Sequence, residues 1–172
     1  MMNAFPPSIS IQDIQLPIQS RVWVYPFPKT LTEDQLEWVT KHSSSFVADW
    51  KAHGKALDAH FAIIENCFLL LAVNEVSHLA SGCSIDDSMA FIQQLGSALG
   101  GDMTDRSRVF FRRKDNGQID ELPFQQCATK ARNGELSVYE SVFDFSADRW
   151  GKFQLSFERP LEDSFLARFL PK

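Results

Sequence analysis

The sequence is poor in the features that reveal a protein's class directly. Its three cysteines, Cys67, Cys83 and Cys127, are scattered and form no C-x-x-C pair, which argues against a disulfide framework and favours a reducing compartment. No apolar run approaches the ~20 residues of a membrane span, and residues 1–20 lack the basic segment and apolar run of a signal peptide. We therefore expect a cytoplasmic protein that does not bind membranes.

Positive charge is also scarce. The chain has 17 Lys and Arg against 22 Asp and Glu, a net charge of -5, which disfavours non-specific binding to nucleic acid. The remaining composition is typical of a folded protein, with 44% hydrophobic and 23% charged residues among 172. The 15 Phe residues predict a core rich in aromatic rings.

Periodic apolar patterns predict secondary structure along most of the chain. Residues 1–20 combine prolines with spaced isoleucines and predict an extended arm that lies on the domain or on a partner subunit. Alternating or continuous apolar residues predict strands at 21–27, 59–64, 67–73, 108–113, 138–145 and 153–157. Helical spacing and capping residues predict helices that begin near Thr32, Ser84 and Pro123 and end before His53, at Gly100 and at Asn133.

The order of these elements indicates the fold class. As far as residue 113 it is strand, helix, strand, strand, helix, strand, the ferredoxin-like β-α-β-β-α-β order. A C-terminal helix and strands follow. We predict an α+β protein with a mixed or antiparallel sheet, made of an arm over 1–20 and a single domain over 21–172.

The stretch Ser81–Ser88 is the main candidate for a functional site. Ser84 and Asp87 fit a capping box, so the second helix is expected to start close to Ser84. Cys83 would then precede the helix, near unpaired backbone N–H groups that favour a thiolate, whereas Asp86 and Asp87 disfavour one. The alternative is a buried, structural cysteine beside a well-capped helix.

We predict a polar ligand-binding pocket around this stretch. Its members would be Trp50, His53, Gly82, Cys83, Ser84, Asp86 and Arg168, with Asp163 as a further member. An enzymatic alternative uses the same region, with Cys83 as the nucleophile. His53 or His60 would be its base, and Asp86 or Asp163 would orient that base.

A second alternative is an aromatic platform for nucleic acid. Trp23, Tyr25 and Phe27 would stack bases on an open sheet face, with Phe110 between Arg108 and Arg112 beside them. The competing expectation is that tail strands cover this face with Phe143, Phe145, Phe153 and Phe157. The RNA-recognition signature Lys/Arg-Gly-Phe/Tyr-Gly/Ala-Phe is absent from the sequence, so nucleic acid is the less favoured partner.

Other polar residues carry weaker signals. The histidines and cysteines have no recognised ligand spacing, so we predict no metal; they include His53, His60, His78, Cys67 and Cys83. The basic run Arg112-Arg113-Lys114 is expected to be a solvated strand end.

Several segments resemble one known family. They are Leu16-Pro17, Arg21–Tyr25, Trp50–Gly54, Ser81–Ser88 and the closing stretch Pro160–Phe169. Through them nearly the whole chain resembles a small family of bacterial proteins whose members are often labelled "ABC transporter ATPase" by automatic transfer. The resemblance implies no particular catalytic residues. An ATPase of that class needs a P-loop, Gly-x-x-x-x-Gly-Lys-Ser/Thr, and the sequence contains none.

These observations favour binding over catalysis. We predict a non-enzymatic module that binds a small molecule or a protein, and we count a homodimer among the forms that a protein partner could take. Thiol-dependent catalysis and binding of nucleic acid are the alternatives. We expect no cofactor.

Overall fold

The computed structural model describes residues 14–171. These residues form an α+β structure with four α-helices and antiparallel sheets, which confirms the predicted class. Their contacts divide into two compact units. The first comprises the chain up to Thr104 together with Asp148–Phe153, and the second comprises Asp105–Ala147 and the chain from Gln154 onward. The single domain over 21–172 stays a prediction. None of the helices between residues 14 and 171 combines the length and apolar character needed to cross a membrane.

The first unit is built on a three-stranded antiparallel sheet. Its elements are β1 (Arg21–Pro26), α1 (Glu33–Asp49), the short strands β2 (Lys51–Ala52) and β3 (Lys55–Ala56), β4 (Asp58–Ile64), β5 (Phe68–Asn74) and α2 (Gly82–Leu99). The strand order is β1-β5-β4, and β2 pairs with β3. Glu65 and Asn66 join β4 to β5 as predicted, each with a φ of 54°, as a tight hairpin turn requires.

Helices α1 and α2 cover one face of this sheet. As predicted, Thr32 caps α1 and forms a capping box with Gln35. Buried side chains from β1, β4, β5 and both helices form one core: Tyr25, Phe27, Leu31, Val39, Phe61, Ile63, Leu69, Leu71, Ile92, Leu95 and Met103. The predicted aromatic platform is therefore wrong, because Tyr25 and Phe27 face the helices. The predicted cover by tail strands is also wrong, since the helices of the first unit supply it.

A returning segment closes the free edge of β1. Val22 donates its backbone N–H to the Asp148 carbonyl at 3.1 Å, and Trp150 donates to the Ser20 carbonyl at 2.8 Å. Strand edges without a partner tend to pair with other chains, so this segment protects β1. Residues 1–13 of the predicted arm lie outside the described residues.

The second unit contains the other large sheet. It is made of β6 (Arg108–Arg113), β7 (Ile119–Pro123), α3 (Phe124–Arg132) and β8 (Tyr139–Phe143), followed after α4 (Trp150–Ser156) by β9 (Glu158–Pro160). The strand order is β7-β6-β8-β9. Its core residues are Val109, Phe111, Cys127, Ala131, Leu136, Tyr139, Val142, Leu161 and Leu166.

The strand order of this second sheet differs from the predicted ferredoxin-like order. The predicted fourth strand, β6, is not in the sheet of β1, β4 and β5 but pairs with β7 and β8. The short turn before β7 places that strand directly beside β6, so β6 belongs to a local hairpin.

Residues 153–157 are mainly helical, where the sequence predicted a strand. The alternation of Phe153, Leu155 and Phe157 indicated a strand, but Leu155 is 85% exposed. The buried apolar side chains of residues 150–157 are instead Trp150, Phe153 and Phe157. Their spacings of three and four residues are those of one helix face.

Candidate functional site

Helix α2 begins within the Ser81–Ser88 stretch, and its N-cap differs from the predicted one. Ser81 is the N-cap, and its hydroxyl accepts from the Ser84 backbone N–H at 3.2 Å while the Ser84 hydroxyl accepts from the Ser81 N–H at 2.7 Å. The helix starts close to Ser84, as predicted, but the predicted capping box of Ser84 and Asp87 is wrong, because Ser84 is the third residue of the helix and Ser81 is its cap. Cys83 lies within the first turn and is exposed, so the alternative of a buried cysteine is wrong too.

Of the residues predicted to form the pocket, Trp50 and Ser84 contact each other in the structure. The Trp50 indole N–H donates to the Ser84 carbonyl at 2.8 Å, and both residues are buried. Cys83, Asp86 and His53 are exposed, and within residues 14–171 no hydrogen bond or ion pair links any two of them. Trp50 and Ser84 thus hold α2 in place and are closed to a ligand.

Of the other predicted site residues, Arg168 and His60 have local partners, and Gly82 and Asp163 are exposed. Gly82 is exposed in the first turn of α2. Arg168 belongs to the second unit, where its guanidinium lies 4.7 Å from the centre of the Phe169 ring. The alternative base His60 pairs with Asp58 on the same strand at 3.0 Å. Asp163 is exposed.

A cavity of about 830 Å³ lies within the second unit. It is lined by Arg112, Lys114, Ala131, Gly134, Leu136, Ser137, Tyr139, Glu140, Ser141, Glu158, Arg159, Pro160, Leu161, Glu162, Leu170 and Pro171. None of the residues predicted to bind a ligand is among them. Two of the lining residues, Arg112 and Lys114, belong to the basic run 112–114, for which a solvated strand end was predicted.

Unequal strand lengths open this cavity. β9 pairs only with Ser141–Phe143, so β8 continues beyond it through Tyr139 and Glu140. Pro160 ends β9 because proline has no N–H to donate to the next ladder bond, and residues 161–163 then form a 3-10 turn. The end of β8 and this turn form two walls of the cavity.

No protein-family model, no curated protein and no solved structure matches this chain. The resemblance to the bacterial family therefore remains a prediction. The chemistry of the residues that line the cavity indicates which ligands it can bind.

Some charged groups of the cavity are neutralised within the protein. Arg112 binds Glu158 with two parallel hydrogen bonds, Nε to Oε1 at 2.6 Å and Nη2 to Oε2 at 3.0 Å, and the Ser141 hydroxyl donates to Oε1 at 2.5 Å. Burial acts to raise the pKa of Glu158, but the hydrogen bonds from Arg112 and Ser141 outweigh it, so that the pKa is lowered. Glu158 is a carboxylate at neutral pH and holds Arg112 in place.

Tyr139 forms a fixed wall of the cavity. Its hydroxyl donates to Asp120 Oδ2 at 3.4 Å, and Arg113 Nη1 donates to the same oxygen at 3.2 Å. Burial, together with the nearby Asp120 carboxylate, raises the pKa of Tyr139. Tyr139 therefore stays protonated at neutral pH and acts as a hydrogen-bond donor.

Four charged groups of the lining have no oppositely charged partner among residues 14–171. Within residues 14–171, the side chains of Lys114, Glu140 and Glu162 take part in no ion pair. Arg159 meets no carboxylate there: its Nη1 lies 3.5 Å from the Asp163 carbonyl oxygen, and its buried Nε has no acceptor. A buried donor without an acceptor costs about 1–3 kcal/mol of folding free energy. A water molecule or a ligand that accepts a hydrogen bond from this Nε would remove that cost.

The same cavity has an apolar part. Leu136 and Leu161 are 1% and 8% exposed and belong to the core of the second unit, and Leu170 packs against that core. The described residues contain no group of three His, Cys, Asp or Glu side chains placed to hold a metal ion. The arrangement can bind a molecule that carries charge at one end and apolar atoms at the other.

Proposed function

We propose that this chain is a binding protein for a small charged molecule, which occupies the cavity of the second unit. The observation that carries the proposal is a cavity of about 830 Å³ whose lining includes four charged residues without an ion-pair partner in the described part of the chain: Lys114, Arg159, Glu140 and Glu162. Small-molecule sites commonly have volumes of about 300–1,000 Å³ and combine apolar walls with a few placed polar groups. We prefer this cavity to the Ser81–Ser88 stretch because Trp50 and Ser84 are buried against each other.

The alternatives have less support. No histidine or carboxylate in the described part of the chain is hydrogen-bonded to the Cys83 thiol, and a nucleophilic cysteine needs a base within reach. Binding of nucleic acid lacks its stacking surface, since Tyr25 and Phe27 are buried. We also propose that the protein works in the cytoplasm, which is consistent with the absence of a disulfide among its three cysteines.

Chemical-shift mapping with simple fragments tests the cavity directly. We expect propionate and propylammonium, added to the full-length chain, to shift the backbone amides of Gly134, Ser137 and Ser141. Lys114→Gln should weaken the binding of propionate at least threefold, because it removes an exposed cation from the cavity wall. Lys55→Gln is the matched control, since Lys55 is an exposed lysine of the first unit. Shifts confined to residues 81–88, or none at all, would contradict the proposal.

A further inference from the structure

We infer that the molecule bound in the cavity is a zwitterion of the amino-acid or short-peptide class, with a free carboxylate and a free ammonium group. Lys114 and Arg159 would receive the carboxylate, and Glu140 and Glu162 the ammonium. This inference rests on the proposed function and specifies its ligand.

The two cations are suited to a carboxylate. A guanidinium offers several planar N–H donors that match the two oxygens of a carboxylate, and the Lys114 ammonium adds positive charge to the same cavity. Arg112 is not available for this role because Glu158 holds it. Arg159 is available, since the hydrogen bond that its guanidinium makes within residues 14–171 is the long one to the Asp163 carbonyl.

The two carboxylates, Glu140 and Glu162, are suited to an ammonium group. Glu140 lies on the part of β8 that extends past β9, and Glu162 lies in the 3-10 turn that follows β9. Both carboxylates are exposed and un-neutralised in the described residues. An ammonium has three N–H donors and no acceptor, so two carboxylates can satisfy it.

Among the described lining residues, two cations and two anions have no ion-pair partner, and this balance disfavours ligands of a single charge sign. A dianion such as inorganic phosphate would be repelled by Glu140 and Glu162, and a diamine would be repelled by Lys114 and Arg159. Only a molecule with both charges meets complementary groups at both ends. The apolar wall of Leu136, Leu161 and Leu170 favours a hydrophobic side chain between or beside those ends.

Calorimetric titration of the full-length chain with the dipeptide alanyl-leucine is the test. We expect the free dipeptide to bind at least tenfold more tightly than its N-acetyl and C-terminal amide forms, because each modification removes one charge. In the variant E140Q/E162Q the penalty for N-acetylation should disappear. In K114Q the penalty for the amide should shrink. Glu37→Gln and Lys55→Gln, exposed positions of the first unit, should leave all three affinities unchanged.

The outcomes separate the two proposals. If propionate and propylammonium shift the cavity amides but the blocked dipeptides bind as tightly as the free one, or no dipeptide binds, the zwitterion is refuted and the binding cavity stands. If the fragments also fail to shift those amides, both proposals fall. The substituted side chains are exposed, so all the variants are expected to fold.

Discussion

The Glu158 carboxylate is the best-connected charged group of the cavity, and it makes stability depend on pH. Its hydrogen bonds to Arg112 and Ser141 lower its pKa in the folded chain, below the value of about 4.3 for an unfolded glutamate. The resulting stabilisation is complete above that value and is lost as the pH falls through the folded pKa.

We therefore expect Glu158→Gln to lower the free energy of unfolding by about 1 kcal/mol at pH 7 and by much less near pH 3. The effect is modest because 35% of the Glu158 side chain is exposed and solvent screens the pair. Urea unfolding at the two pH values measures it. Glu162→Gln is the control in the same cavity, and its effect should be near zero at both. An equal loss for Glu158→Gln at pH 3 and pH 7 would contradict the assignment.

The same residues show why the candidate cavity was not predicted from the sequence. Arg112-Arg113-Lys114 looked like one solvated run, yet Arg112 pairs with Glu158, 46 positions away, and Arg113 pairs with Asp115 and Asp120. Only Lys114 is left without a partner in the described residues. A single sequence does not show which members of a basic run find distant carboxylates, so it does not show which charge is left for a ligand.

At the scale of elements, the start of α2 provides a direct test of the capping geometry. Ser81→Ala removes the acceptor of the Ser84 N–H and should lower the free energy of unfolding by about 1 kcal/mol. Ser97→Ala, the same substitution at an exposed position inside α2, should be neutral or stabilising by a few tenths, since alanine has the higher helix propensity. Thermal unfolding of both variants measures the difference. A neutral Ser81→Ala would place the cap elsewhere.

Elements were predicted well where one local signal dominated. Thr32 with Gln35 defined the start of α1, and Gly100 defined the end of α2 through its left-handed conformation. Errors arose where two patterns overlapped. Ser81 and Ser84 both precede plausible capping partners, and the run 150–157 contains a period of two as well as a helical spacing. Burial decides between such patterns, and burial depends on tertiary contacts that a local pattern does not contain.

At the scale of the whole molecule, the division into units was the hardest feature to predict. The chain leaves the first unit after Thr104, returns to it for Asp148–Phe153 and then continues in the second unit. Sequence order alone placed β6 beside the earlier strands, because a continuous βαββαβ run favours one sheet. The composition of the returning segment, Asp148–Phe153, does not distinguish it from its neighbours. It belongs to the first unit because it forms hydrogen bonds with residues more than a hundred positions earlier.

Arg149 joins distant parts of the first unit. Its Nη1 donates to Glu75 Oε2 at 3.0 Å and to the Gln19 carbonyl at 3.1 Å, and the Glu75 side chain is only 11% exposed. Arg149→Ala would leave Glu75 with Arg21, whose Nη1 is 3.9 Å from Oε1, as its ion-pair partner. We expect the free energy of unfolding to fall by about 1–3 kcal/mol, because a mostly buried carboxylate loses its nearest charged donor.

Hydrogen exchange distinguishes a local effect of Arg149 on the returning segment from a general loss of stability. The amides of Trp150 and Gly151 donate to the carbonyls of Ser20 and Ile18, so they should exchange faster in Arg149→Ala than the central amides of β5. Lys55→Ala, at an exposed lysine of the same unit, should change neither group. If the Trp150 and Gly151 amides stayed as protected as in the parent chain, the backbone bonds alone would hold the segment. Arg149 would then only neutralise Glu75, and the edge of β1 would stay closed without it.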